Sequence, residues 1–280
     1  MTYRHRLDKL LLSDKPLLVS HQGMAGGNIV NNSMAAFENA IKQGASFIEL
    51  DITKTLDDVF YIMHVNEEPI RIHSDKLIKE MTSEEVEQHQ LLNMNMQPVT
   101  NVPKLRDIMN GFTKYPDIML HIDHITKWDS LILNELNHYQ SQLSQFIIKI
   151  DIDSPSTVEA ICNHETPFMT IFIVKNIEEV DVALQLIDKV NVVGLEFVFE
   201  HEDDTHIQPS VINKVKALGL FTLANSMRLN EETTINAELD DDISLLDHPD
   251  KGWGKLLAMN FDMIQTDWIL PLKQYIESKQ

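Results

Sequence analysis

A single cysteine, Cys162, among 280 residues rules out an intramolecular disulfide and any zinc site rich in cysteine, and it fits a reducing, cytoplasmic setting. Positive charge is also scarce. Only 23 Lys and Arg stand against 43 Asp and Glu, a formal net charge of −20. Nucleic acid is bound by neutralising phosphates and releasing counterions, so so acidic a chain is not expected to take it as a partner. A small phosphate ester stays open, because a bound divalent cation and a few placed basic groups can reverse the local potential. Long hydrophobic runs are missing too. Leu10-Leu11-Leu12, flanked by Arg4, Arg6, Asp8 and Lys9, is too brief and interrupted for a signal peptide or a membrane span. Met1 to Pro16 therefore reads as a short amphipathic helix leading into the fold and covering its bottom. With no internal repeat, low-complexity tract or linker, residues 1–280 read as one domain, and a 43% hydrophobic content is enough for a substantial core.

Eight short apolar runs suit buried strands: Leu17 to Ser20, Phe47 to Thr53, Ile118 to Asp123, Phe146 to Ile150, Phe168 to Val174, Val192 to Phe199, Leu220 to Ala224 and Met263 to Thr266. Stretches of helical spacing lie between them, among them Met34 to Gln43, Leu105 to Phe112 and Val211 to Leu218. This alternation is that of repeated βα units and a parallel sheet, and an open doubly wound sheet would show it as well as a closed barrel. Thr55 to Pro103 breaks the rhythm and reads as an inserted excursion. The acidic tract Glu238 to Asp242 reads as a loop with a solvated face.

Polar residues concentrate at the ends of the apolar runs. Glu49 and Asp51, two apart in one strand, point to the same side. Clustering two like charges in a buried setting is costly unless a cation joins them. Asp123 ends the third run and supplies a third oxygen ligand, and three carboxylates suit a hard ion, Mg2+ or Ca2+, better than zinc. His21 follows the first strand and His64 closes Tyr61-Ile62-Met63. Two imidazoles beside such a metal make a general acid and base for phosphoester cleavage, although a lone histidine at a strand end is more often structural.

These residues resemble the motifs of the glycerophosphodiester phosphodiesterase family across nearly the whole chain. Its His-Arg-Gly motif corresponds to His21-Gln22-Gly23, its Pro-Glu-Asn-Thr segment to Val30-Asn31-Asn32-Ser33, and its Glu-x-Asp strand to Glu49-Leu50-Asp51. The Thr-x-Asp turn is similar to Thr55-Leu56-Asp57, the second histidine to His64, the Pro-x-Leu helix start to Pro103-Lys104-Leu105, and the last-strand Thr-Asp pair to Thr266-Asp267. The resemblance implies a (β/α)8 TIM barrel with a small insertion after the second strand, at about 55–103. It further implies a divalent metal held by Glu49, Asp51 and Asp123, with His21 and His64 exchanging protons with the attacking and leaving oxygens of a small glycerophosphodiester.

Four positions depart from the family pattern: Gln22 for its arginine, Asn31 for its glutamate, Val65 for the aspartate after the second histidine, and Ile125 for a strand-three lysine. Lys149, within Ile147-Ile148-Lys149-Ile150, is expected to take over the lost phosphate contact, unless it is bridged to Asp151 or another carboxylate. Gln22, Lys149 and Asn225 thus form the expected substrate side. Glu196 is a further inward candidate without an assigned role, and His73, His121 and His124 have no motif support. The expected reaction is hydrolysis to an alcohol and a phosphomonoester such as glycerol 3-phosphate. The alternatives are transfer or cyclisation on the same site, or binding of a phosphate ester without catalysis.

Overall fold

The computed structural model describes residues 4–12, 16–124, 129–229 and 233–279. Its strands are β1 (Leu17–Ser20), β2 (Phe47–Lys54), β3 (Phe60–Ile62), β4 (Gln90–Leu92), β5 (Pro98–Asn101), β6 (Met119–Asp123), β7 (Phe146–Asp151), β8 (Met169–Val174), β9 (Val192–Phe197), β10 (Phe221–Asn225) and β11 (Met263–Thr266). Parallel pairing runs β1-β11-β10-β9-β8-β7-β6-β2, and a further parallel pairing of β1 with β2 closes the ring. The expected (β/α)8 barrel is therefore the fold, and closure separates it from an open sheet. All eight expected strands are present, with ends shifted by a residue or two.

The strand sequences explain the barrel. Residues outside the ring pack under helices, as Ile48 and Leu50 do, while the alternate set points into the lumen. Phe47, Met119, Ile147 and Met263 belong to the lumen cluster at the strand starts. Two residues further along the same faces come Glu49, His121, Lys149 and Gln265, and two further still Asp51 and Asp123. The polar residues are thus delivered to the strand C-termini, where barrels of this kind build their sites. At the opposite end the helix His5–Leu10 inserts Leu7, fully buried, among the lumen residues. The amphipathic helix at the bottom is as expected, and burying one leucine there contributes about 1.5–3 kcal/mol.

The excursion after β2 has a clear local logic. β3 returns antiparallel to β2, pairing Ile52 with Ile62, and the β4–β5 hairpin follows. A separate apolar cluster that includes Tyr61, Met63, Ile78 and Leu91 holds the segment together. Met63 N donates to Asp51 O at 3.0 Å, which brings the next residue, His64, back beside the end of β2.

The acidic tract Glu238 to Asp242 corrects the sequence reading. Asp240 caps a helix, Asp241–Leu246, by accepting from Ile243 N at 2.8 Å. Asp240 and Asp241 are both buried, because hydrogen-bond donors from three other elements converge on Asp241. Charge density alone pointed to solvent, and the donors that satisfy the buried charge are distant in sequence. Among the described residues, no helix is long and apolar enough to cross a membrane.

Candidate active site

Three carboxylates from two adjacent strands meet at the top of the lumen. Ligand oxygens of Glu49, Asp51 and Asp123 lie within 4.8 Å of one another, and Glu49 and Asp51 are each 1% exposed. Burial and then Asp51 push the Glu49 carboxyl well above the usual carboxylate range. Asp51 and Asp123 go the other way despite burial, held down by His124 in the first case and by Lys149 and His124 in the second. An all-oxygen set with one member reluctant to ionise without further positive charge fits a hard divalent cation.

The loop after β1 locks this set from one side. Gln22 N donates to Glu49 Oε2 at 3.0 Å and Gln22 Nε2 to Asp51 Oδ2 at 2.7 Å. Asn32 Nδ2 adds a bond to the same Asp51 oxygen at 2.8 Å, and Asn31 Nδ2 reaches Gln22 Oε1 at 3.3 Å. Gln22 is thereby engaged with the carboxylates. The turn needs glycine at position 23: its φ is +81°, and a Cβ would sit 2.7 Å from the carbonyl carbon of Ala36.

His21 Nδ1 pairs with Asp267 Oδ1 at 2.9 Å, across the β1–β11 seam. Burial lowers the affinity of its ring for a proton, but Asp267, Glu49 and Asp51 outweigh that and raise it to about 10. The bond to Asp267 occupies Nδ1 and leaves Nε2 as the other ring nitrogen. His64 packs edge-on against His124, with ring centroids 4.5 Å apart. His124 Nε2 in turn lies 3.2 Å from Asp51 Oδ1. Asp51, His64 and His124 form a second group of possible ligand atoms that shares Asp51 with the first.

Lys149 faces this centre from β7. Its Nζ is 3.0 Å from Asp123 Oδ2 and 3.1 Å from Glu196 Oε2, with 3% of the side chain exposed. Burial opposes its charge, yet Asp123, Glu196 and Glu49 hold the ammonium well above its ordinary value. Lys149 is thus bridged to carboxylates, though not to Asp151, which pairs with Lys175 at 2.8 Å. Asn225 Nδ2 donates to Glu196 Oε1 at 2.8 Å, so Glu196 ties Lys149 to Asn225. Ile125 lies outside the described residues.

His124 was missed by motif reasoning, and the one available signal was its place directly after a strand-end carboxylate. The role of Glu196 required knowing that β7, β9 and β10 bring Lys149, Glu196 and Asn225 together. His121, by contrast, is a core residue. It sits between Phe47 and Phe221 with neither ring nitrogen hydrogen-bonded, and burial lowers it to about 3.

Comparison with known proteins agrees with the barrel fold. The profile of DUF4996, a domain of unknown function, matches residues 168–276. A glycerophosphodiester phosphodiesterase of Bacillus altitudinis is 27% identical over 108 residues, 38% of this chain and 44% of the relative. The match thus spans less than half the length of that curated relative. Among solved structures, a glycerophosphoryl diester phosphodiesterase from Parabacteroides distasonis superposes with a TM-score of 0.71 at 16% identity, covering 98% of this chain and 92% of the other. A phosphodiesterase from Oleispira antarctica, in complex with the product sn-glycerol-3-phosphate, gives 0.69 at 16% identity, covering 95% and 99%. The similarity read from the motifs is borne out at low identity, and the solved structures share the barrel fold.

Proposed function

We propose that this chain, as one barrel domain with its insertion at about 55–103, is a metal-dependent phosphodiesterase that hydrolyses a small glycerophosphodiester to an alcohol and a phosphomonoester such as glycerol 3-phosphate. The observation that carries the reading is the convergence of the Glu49, Asp51 and Asp123 oxygens within 4.8 Å of one another, near a histidine fixed by Asp267. The single cysteine supports a reducing, cytoplasmic setting.

Glu49, Asp51 and Asp123 would hold one Mg2+ or Ca2+, which supplies charge neutralisation and polarisation at the phosphoryl oxygens when bound. Gln22 and Asn32 fix the carboxylates on which that ion depends. Asp267, bonded to Nδ1 at 2.9 Å, favours a protonated ring at His21. With Nδ1 given to Asp267, His21 donates from Nε2 to the leaving oxygen. His64 accepts the proton of the attacking water. Lys149 offers its ammonium to a non-bridging phosphate oxygen, in the role of the missing family cations, while Asp123 and Glu196 keep it charged.

Phosphorus NMR of the protein with magnesium or calcium and a panel of glycerophosphodiesters tests this directly. Metal-dependent appearance of a phosphomonoester is the expected result. A cyclic phosphate or a new diester would instead assign transfer to a substrate hydroxyl, and binding without turnover would reduce the site to a phosphate-ester receptor.

A further inference from the structure

Asp241, in the acidic tract and outside the family motifs, is among the most fully satisfied buried charges described in the structure. Ser226 Oγ and Trp253 Nε1 each donate to its Oδ1 at 2.7 Å. Thr266 Oγ1 bridges both oxygens at 2.8 and 2.9 Å, and Asp267 N donates to Oδ2 at 2.9 Å. The residue is 2% exposed. Its partners come from the end of β10, the end of β11 and the helix Trp253–Ala258.

The bond to Asp267 N matters because of what Asp267 does next. Its carboxylate holds His21 Nδ1 at 2.9 Å, yet that carboxylate side chain is 40% exposed and follows directly after the last residue of β11. Side-chain packing alone does not fix an acid so exposed. Its backbone is fixed instead by Asp241, and Thr266 beside it is fixed by the same carboxylate. Thr266 Oγ1 also accepts from Trp268 N at 2.9 Å, so the residues on both sides of Asp267 are tied to one hydrogen-bonded centre.

We propose that Asp241 is a positioning residue of the active site: through the backbone of Asp267 and the Thr266 hydroxyl it fixes the Asp267 carboxylate, and through that the orientation and protonated nitrogen of His21. The assignment of His21 as proton donor rests on the phosphodiesterase reading; the geometric coupling of Asp241 to His21 does not. A carboxylate suits this task better than an amide. Four donor groups converge on it, and the NH2 of an isosteric Asn would turn a donor toward some of them.

The test has two arms, both on the full chain. In the first, long-range 1H–15N NMR reads the ring nitrogens of His21 without substrate, in wild type, D267N and D241N. In folded D241N the ring 15N shifts are expected to move toward those of D267N, because the same hydrogen bond is weakened. Wild-type His21 shifts in folded D241N would overturn the proposal. In the second arm, kcat and KM are measured on the diester identified by phosphorus NMR. D241N is expected to lower kcat about tenfold or more with KM within about twofold, and to have little further effect in the D267N background. Additive losses in the double variant would show that Asp241 does not act through Asp267 and would reject the proposal. If no diester is turned over, the first arm still decides, so the two readings fail separately. Should D241N not fold, Thr266→Val removes one donor while keeping the carboxylate, and must shift His21 in the same direction to a smaller extent. An unshifted His21 in that folded variant counts against the proposal.

Discussion

Lys149 Nζ stands 3.0 Å from Asp123 Oδ2, so an ammonium on β7 is paired with one of the three carboxylates assigned to the metal. The same ammonium is 3.1 Å from Glu196. Removing it therefore has two separable consequences. K149M leaves Glu196, 4% exposed, without its cation, and breaking such a buried pair costs about 3–5 kcal/mol. Denaturant unfolding is expected to show that loss. A second change, E196Q in the K149M background, should recover much of the stability. It should not recover turnover if the ammonium contacts phosphate. Unchanged kinetics in K149M would end the idea that Lys149 replaces the missing family cations.

Metal affinity should rise with pH. Burial and Asp51 hold the Glu49 carboxyl well above the usual carboxylate range, so protons compete with the ion for it and binding releases them. Calorimetric titration with Mg2+ or Ca2+ in buffers of different ionisation enthalpy reads this directly. E49Q should weaken binding at least as much as the roughly 10–100-fold typical of losing an outer-shell partner. Full turnover in excess chelator would contradict the assignment.

His21→Ala and His64→Ala, compared as variants that still fold, should each lower kcat by about 100-fold or more. Wild-type turnover in either variant removes that histidine from the chemistry.

Asp241 also makes a prediction about stability. Burial pushes its carboxyl from the ordinary 3.8 up to about 6, against the hydrogen bonds from Ser226, Trp253, Asp267 and Thr266 that favour ionisation. Because the folded value is the higher one, the stabilisation is fully present below about pH 4 and is lost as pH rises through about 6. The shift is worth roughly 3 kcal/mol. D241N lacks this titration, so the stability of wild type relative to D241N should fall by about that amount from pH 4 to pH 7. Parallel pH profiles of the two proteins would show that Asp241 does not titrate as described.

The barrel and half of its site were legible in the sequence because both depend on local period. A strand alternates its faces every residue, so Phe47, Glu49 and Asp51 had to share a side, and apolar runs of this length between helical stretches had to be βα units. The fall of His21 and Asp123 at the ends of such runs was equally visible. Other features required the chain to close on itself. Whether the sheet closes depends on β1 meeting β2 and β11, which no window of sequence contains. His124 faces Asp51, Glu196 holds Lys149, and Asp241 anchors Asp267 only because elements apart in the chain converge at one end of the ring. Asp241 shows the reason most clearly. An acidic tract reads as solvated when its counterparts are invisible, and its donors, Ser226, Trp253 and Thr266, lie 12 to 25 residues away. Residue type and spacing fix which face a side chain takes; only tertiary contact decides which buried charge is satisfied, and by what.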